Sequence, residues 1–212
     1  MIQQLPLFPL GTVLFPGSTL NLHIFEERYR TMIGKCIVED VPFGVVYLRA
    51  GDEVSEDRPL ALPAETASIG TIAQINAHVR LEDGRYLINA IGMQRFHLQY
   101  IIQRAPYMVG MVMPLAEESG AQVDVAAREL RAVYRRYWQA VSVASGAPVE
   151  AEDLPVAPEA LAYYLADRCQ VSYVQKQRWL EMELIARLRS LGSELMSELA
   201  ILPPSVGLGN LN

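Results

Sequence analysis

The 212-residue chain is 51% apolar and 20% charged, with a net charge of -6. That balance suits a soluble globular protein and counts against a dedicated nucleic-acid binder, which needs a basic face. The opening MIQQLPLFPLG lacks a basic n-region and an unbroken apolar core, and no apolar run approaches the ~20 residues that span a bilayer. Cys36 and Cys169 have no CxxC partner, so neither a disulfide framework nor a zinc knuckle is predicted. The expected location is cytoplasmic.

Leu5 to Ile33 carries the densest signals. Pro6, Pro9 and Pro16 push Leu5, Phe8 and Phe15 toward extended geometry, and Pro16-Gly17 turns the chain. Phe25, Tyr29, Met32, Ile33, Cys36 and Ile37 then recur at helical spacing, with Glu26 and Glu27 in the first turn and Glu26 placed to pair with Arg30. The segment reads as strand, corner, strand and amphipathic helix, with Phe8, Phe15, Phe25 and Tyr29 in the core. Pro42 to Arg49 is a β-rich run, and the acidic stretch 51–67 reads as a surface loop.

From Ile69 to Leu81 the chain alternates. Ile69, Ala73, Ile75, Ala77, Val79 and Leu81 form the predicted buried face, and Gln74, Asn76, His78 and Arg80 the wet one. Asp83-Gly84 predicts a two-residue type I′ hairpin. The return strand from Arg85 is interrupted at Gly92, where a bulge or bend is expected. Phe96, Leu98 and Tyr100 alternate against Arg95, His97 and Gln99, and Tyr107 to Leu115 makes the last strand. Short strands with a hairpin and a mid-strand glycine predict a small twisted barrel. From Gln122 the pattern is helical, with Leu130, Val133, Tyr134, Tyr137, Trp138 and Val141 opposed by Arg128, Arg131, Arg135 and Arg136. Pro158 suits the first position of a further helix. Ser172 and Gln175 predict the cap of one last helix, packed through Leu180, Leu184, Leu188, Leu191 and Leu195.

PLFPLGTVLFPG followed by LHIFEERYRTMI resembles the opening of the N-terminal domain of Lon proteases; GTIAQI, the DGRY turn and the GMQRF segment are similar to it as well. Asn21 and Glu27 depart from the pattern, standing where that family often has proline. The resemblance covers roughly residues 1–200. It implies an α+β protein: a PUA-like β-barrel with an inserted helix over residues 1–118 and an α-helical bundle over 119–202. The terminal PPSVGLGNLN reads by itself as a flexible tail over 203–212. It also implies non-catalytic recognition of protein substrates. The expected partners are unfolded or degron-bearing proteins, with a separate protease or chaperone to which the chain is an adaptor; no membrane partner is expected, and a homo-oligomer is left open.

No GxxxxGK[ST] loop is present, neither Lys35 nor Lys176 has an evident serine partner, and no length remains after residue 202 for ATPase or protease domains. A stand-alone, non-enzymatic domain without cofactor or metal is therefore expected. The histidines are scattered, and only His78 and His97, on the wet faces of two strands, are placed to converge. The predicted peptide-binding residues are Tyr107, Met108, Met111 and Met113, because methionine-rich surfaces adapt to varied apolar partners. Tyr107, Val109, Met111 and Met113 share one parity of the last strand, while Met108 faces the other way. A sheet edge offers a second route, β-augmentation, but the pattern does not say which strand is the edge. The alternative function is a small-molecule or RNA-binding PUA-like module, with Arg80, Arg85, Arg95 and Arg104 as contacts.

Overall fold

Proline and apolar residues alternate at the N-terminus because the strand they form is covered on both sides. The computed structural model describes residues 1–50, 65–146 and 153–201. The 203–212 tail and most of the 51–67 loop lie outside the described residues. Six strands run in order: β1 (Gln3–Leu10), β2 (Thr19–Ile24), β3 (Phe43–Ala50), β4 (Glu65–Arg80), β5 (Tyr86–Gln103) and β6 (Met108–Pro114). Helix α1 (Glu27–Glu39) crosses from β2 to β3, which pairs in parallel with β1. The sheet order is β2-β5-β4-β3-β1-β6, and β6 also pairs with β5, so the pairings form a closed circuit with β2 added outside it.

Two apolar clusters share these strands. Leu7, Val46, Ile72, Phe96 and Val112 form one. Phe8, Val45 and Ala73, their sequence neighbours on the same strands, join Tyr29, Met32, Ile33 and Cys36 of α1 in the other. Adjacent residues on a strand point to opposite faces, so β1, β3 and β4 are buried on both, and their sequences read as continuous apolar runs. The Phe8 ring stacks on Tyr29 with centroids 4.1 Å apart. Phe8, Phe15 and Tyr29 are core, whereas Phe25 stays 46% exposed just before the helix. Glu26 pairs with Arg28 rather than Arg30, and Arg30 instead donates to the Asp83 carbonyl.

Bulges redirect the later strands. Ile75 opposes Ala90 and Ala77 opposes Asn89, leaving Asn76 as an extra residue. The extra residue reverses the parity, so Ala77 and Val79, predicted buried, turn to the surface. The expected break at Gly92 is a bulge beside it, with Met93 skipped in the ladder, and β5 continues for 18 residues. Gly92 lies where the Pro16-Gly17 corner crosses: Gly17 N–H donates to its carbonyl, and its own N–H donates to Ser18. The hairpin is one residue longer than predicted. Leu81 N–H donates to Arg85, Gly84 N–H to Leu81, and within the turn only Gly84 has positive φ, as in a three-residue loop. The Arg85 backbone N–H, reinforced by its guanidinium, holds the Asp83 carboxyl below its ordinary value.

The helices are α2 (Ala121–Ser145), α3 (Pro158–Arg168), α4 (Tyr173–Glu181) and α5 (Leu184–Ile201). Ser172 Oγ accepts from Gln175 N–H as the cap of α4. The single last helix of the sequence reading is two, interrupted at Met182-Glu183. The described residues divide into two compact units. One is Met1–Ala116 with Ala166–Glu181; the other comprises Glu117–Leu165 and the described part of Met182–Asn212. Residues 166–181, expected in the helical segment, group with the sheet because their polar groups bond there. Arg95, 2% exposed, donates to the Leu180 carbonyl at 2.8 Å, and Gln177 donates to the Ile69 carbonyl at 3.0 Å. In the second unit α2 packs on α5. Arg187, fully buried on α5, lies over the Tyr163 ring at 4.5 Å and 3.5 Å from Glu117, whose other oxygen accepts from the Tyr163 hydroxyl.

Candidate functional site

Strand β6 places the predicted binding residues. It pairs with β1 on one side and β5 on the other, so it offers no free edge. Its even-numbered residues face the cluster of Leu5, Leu7 and Phe96: Val112 is fully buried there, and Met108 packs against it. Gly110, on the same face, has no room for a side chain between Leu7 and Leu98. The odd-numbered residues face the other way, and two environments divide them. Tyr107 and buried Val109 meet α1, where a cleft of about 280 Å³ opens over Pro6, Met32, Cys36 and Val41. Lys35 and Glu39 stand at this cleft, 4.0 Å apart. Met111, half-buried, lies between Gln4 of β1 and Tyr100 of β5, and Met113, 38% exposed, lies opposite His97.

The structure thus sets Tyr107, Met111 and Met113 on one face and Met108 on the other. Tyr100 belongs with Met111 and was missed. Its parity matches Phe96 and Leu98, which are interior, but the ladder skips Gln99 and turns Tyr100 outward to 58% exposure. A bulge is not visible in an alternating sequence; the mixed run LQYII offers only a faint sign of one.

The predicted chemistry does not assemble. His78 opposes Ile88 and His97 opposes Ile69, nine residues along β4 and so roughly 30 Å apart. Among the described residues no group of three His, Cys, Asp or Glu is placed to hold a metal ion. Burial pushes the Cys36 thiol up to about 11, with Glu39 adding to the effect, and its sulfur is free. That is the environment of an inert structural thiol. The four arginines of the alternative reading do not form one patch, although Arg80 and Arg85 flank the same hairpin. Arg95 is buried, Arg85 is held by Asp83, Arg80 lies over Tyr86 at 5.9 Å, and Arg104 follows the opposite end of β5.

The substrate-binding domain of ATP-dependent protease La (LON) matches residues 4–197. The chain belongs to the LON substrate-binding domain family. It is 28% identical over 192 residues to Lon protease 2 of Myxococcus xanthus, covering 88% of this chain and 23% of that protein. With the Lon protease of Brevibacillus choshinensis it shares 26% over 212 residues, covering 98% of this chain and 27% of the relative. This LON substrate-binding domain thus spans about a quarter of the length of the curated relatives it matches. Among solved structures it is similar to a Lon N-terminal domain protein from Xanthomonas campestris, at 25% identity and a TM-score of 0.60, covering 95% of this chain and 99% of that one. The N-terminal domain of the Mycobacterium avium complex Lon protease shares the fold at 18% identity and a TM-score of 0.64, covering 92% and 98%. The part matched in the family is the substrate-binding domain, not the ATPase or protease. No helix among the described residues is long and apolar enough to cross a membrane.

Proposed function

We propose that the chain is a non-catalytic recognition module for protein substrates, acting in the cytoplasm as an adaptor that hands extended apolar segments to a separate protease or chaperone. The closed strand circuit corresponds to a PUA-like barrel in this reading, with residues 1–118 carrying recognition and residues 119–202 forming the helical segment. One observation carries the reading: a domain of the LON substrate-binding family exposes an apolar strip, Tyr100, Met111 and Met113, continuous along β6 with the cleft at Tyr107. Thioether side chains with several rotatable bonds fit many apolar shapes, as a receptor for unfolded segments requires. Its side chains are two thioethers and a phenol, which suit binding, with the imidazole of His97 opposite Met113 at its margin.

Fluorescence anisotropy with labelled apolar peptides of about seven residues tests it, the length that the seven-residue β6, roughly 23 Å long, can hold. Met111→Asp with Met113→Asp is expected to weaken binding at least tenfold, by placing two carboxylates under an apolar ligand. Met108→Leu, on the inner face, is expected to leave it unchanged. Equal affinity for native and doubly substituted chains refutes this site. Failure of every apolar peptide to bind refutes the function.

A further inference from the structure

We infer that β2 is a self-association edge, and that its occupant is the β2 strand of a second copy of this chain, antiparallel about a two-fold axis at Asn21. Strand β2 pairs with β5 on one side, and no strand pairs with its other side among the described residues. Thr19-Leu20-Asn21-Leu22-His23-Ile24 has none of the devices that blunt an exposed edge: no lysine, no proline and no bulge.

The identity of the occupant comes from a row of amides. Asn76 donates to Asn89 at 3.4 Å, and Asn89 donates to Asn21 at 2.9 Å. The row runs across β4, β5 and β2 in one direction, and Asn21 Nδ2 ends it with no acceptor among the described residues. A second Asn21 across a two-fold axis supplies the acceptor and donates in return, since each amide oxygen accepts two bonds. In this register Leu20 opposes Leu22 of the second copy, extending the apolar inner face on which both already pack. His23 opposes Thr19, and the exposed Phe25 opposes Gly17, an exposed corner where nothing lies within 4 Å of the missing side chain. No pair sets like charges together. For a chain of net charge -6, an edge free of charge is where a second copy approaches without repulsion. Homodimers join through the same patch on both copies, and this edge is self-complementary in that sense.

The test uses the full chain. Equilibrium sedimentation from about 1 to 500 µM is expected to show mass rising from 23.6 kDa toward twice that value, a range suited to an interface below standard size. Asn21→Lys, which sets two ammonium groups on the axis, is expected to hold the chain monomeric with its circular dichroism unchanged. Asn21→Cys, in a glutathione buffer, is expected to give a disulfide dimer, because directly opposed residues of antiparallel strands lie within bridging distance. Thr19→Cys is displaced from its own copy by four residues, roughly 13 Å, and is expected not to cross-link. A native chain monomeric throughout, equal cross-linking of the two cysteine variants, or a dimer indifferent to Asn21→Lys overturns the proposal. So does a monomer whose β2 amides become protected only by an unrelated extended peptide.

Discussion

Cys36 sits between α1 and the sheet, 2% exposed, where an uncharged thiol fits and a thiolate does not. Its value rises from 9.0 to about 11, first through burial and then through Glu39, with Lys35 pulling weakly the other way. The sign follows from linkage. The folded state holds the proton more tightly than the unfolded chain, so this contribution is fully present below about pH 9 and is lost as pH rises toward about 11. Two units of separation set an upper limit of ~3 kcal/mol. Urea unfolding of the native chain and of Cys36→Ala, from pH 8 to 10.5, isolates it from other groups that titrate there. The native chain is expected to lose stability relative to the alanine variant over that range. A difference between the two that stays constant with pH would show that the thiol does not ionise on unfolding. The sulfur also lines the Tyr107 cleft, where a raised value keeps it a thiol at neutral pH.

Elements in this fold are positioned by backbone crossings as much as by side chains, and Gly92 is the sharpest case. A Cβ there would press on the Phe15 carbonyl oxygen, closer than real Cβ contacts come. The Pro16-Gly17 corner is bonded across the same point, so neither backbone yields easily. Gly92→Ala is expected to cost ~2–3 kcal/mol, at the upper end of overpacking, read as a lower urea midpoint with unchanged slope. A loss under ~0.5 kcal/mol would mean that the corner moves freely. The glycine itself was legible in the sequence as an interruption. What it accommodates was not, because the crossing chain lies more than seventy residues away. Bulges at Asn76, Met93 and Gln99 were illegible for a related reason: each adds one residue to a strand whose side-chain period is two. Hence α1 was readable from Tyr29, Met32, Ile33 and Cys36, whereas Ala77, Val79 and Tyr100 ended on the face opposite to their parity. That Tyr107, Met111 and Met113 share one face was readable because β6 is regular between Met108 and Val112 on the β1 side; that this face meets α1 at Tyr107 and Val109 was not.

At the scale of the molecule, two units each enclose buried cations that composition could not announce. Arg95 is the one in the sheet-bearing unit, where the neutral amide of Gln177 is buried as well, and Arg187 is the one in the helical unit. Arginine on a polar parity reads as solvent-facing, and only long-range partners reverse that. Those of Arg187 include the Met182 carbonyl at 2.7 Å, the Tyr163 ring and Glu117. All belong to the same unit and come from three separate stretches of chain, so the guanidinium ties the segment after β6 to α3 and α5. Removing one member leaves the other charge buried without its partner, which typically costs ~3–5 kcal/mol. Arg187→Met is therefore expected to destabilise strongly. Adding Glu117→Gln is expected to restore part of the loss, because the orphaned carboxylate is then gone. Hydrogen exchange reads where the effect falls. Protection should drop in α2, in α3 up to Leu165 and in α5, while β1 to β6 and α4 keep theirs. Uniform loss over both units would show that they unfold as one. An additive double variant would show that Arg187 is held by the ring and the Met182 carbonyl, with Glu117 contributing little.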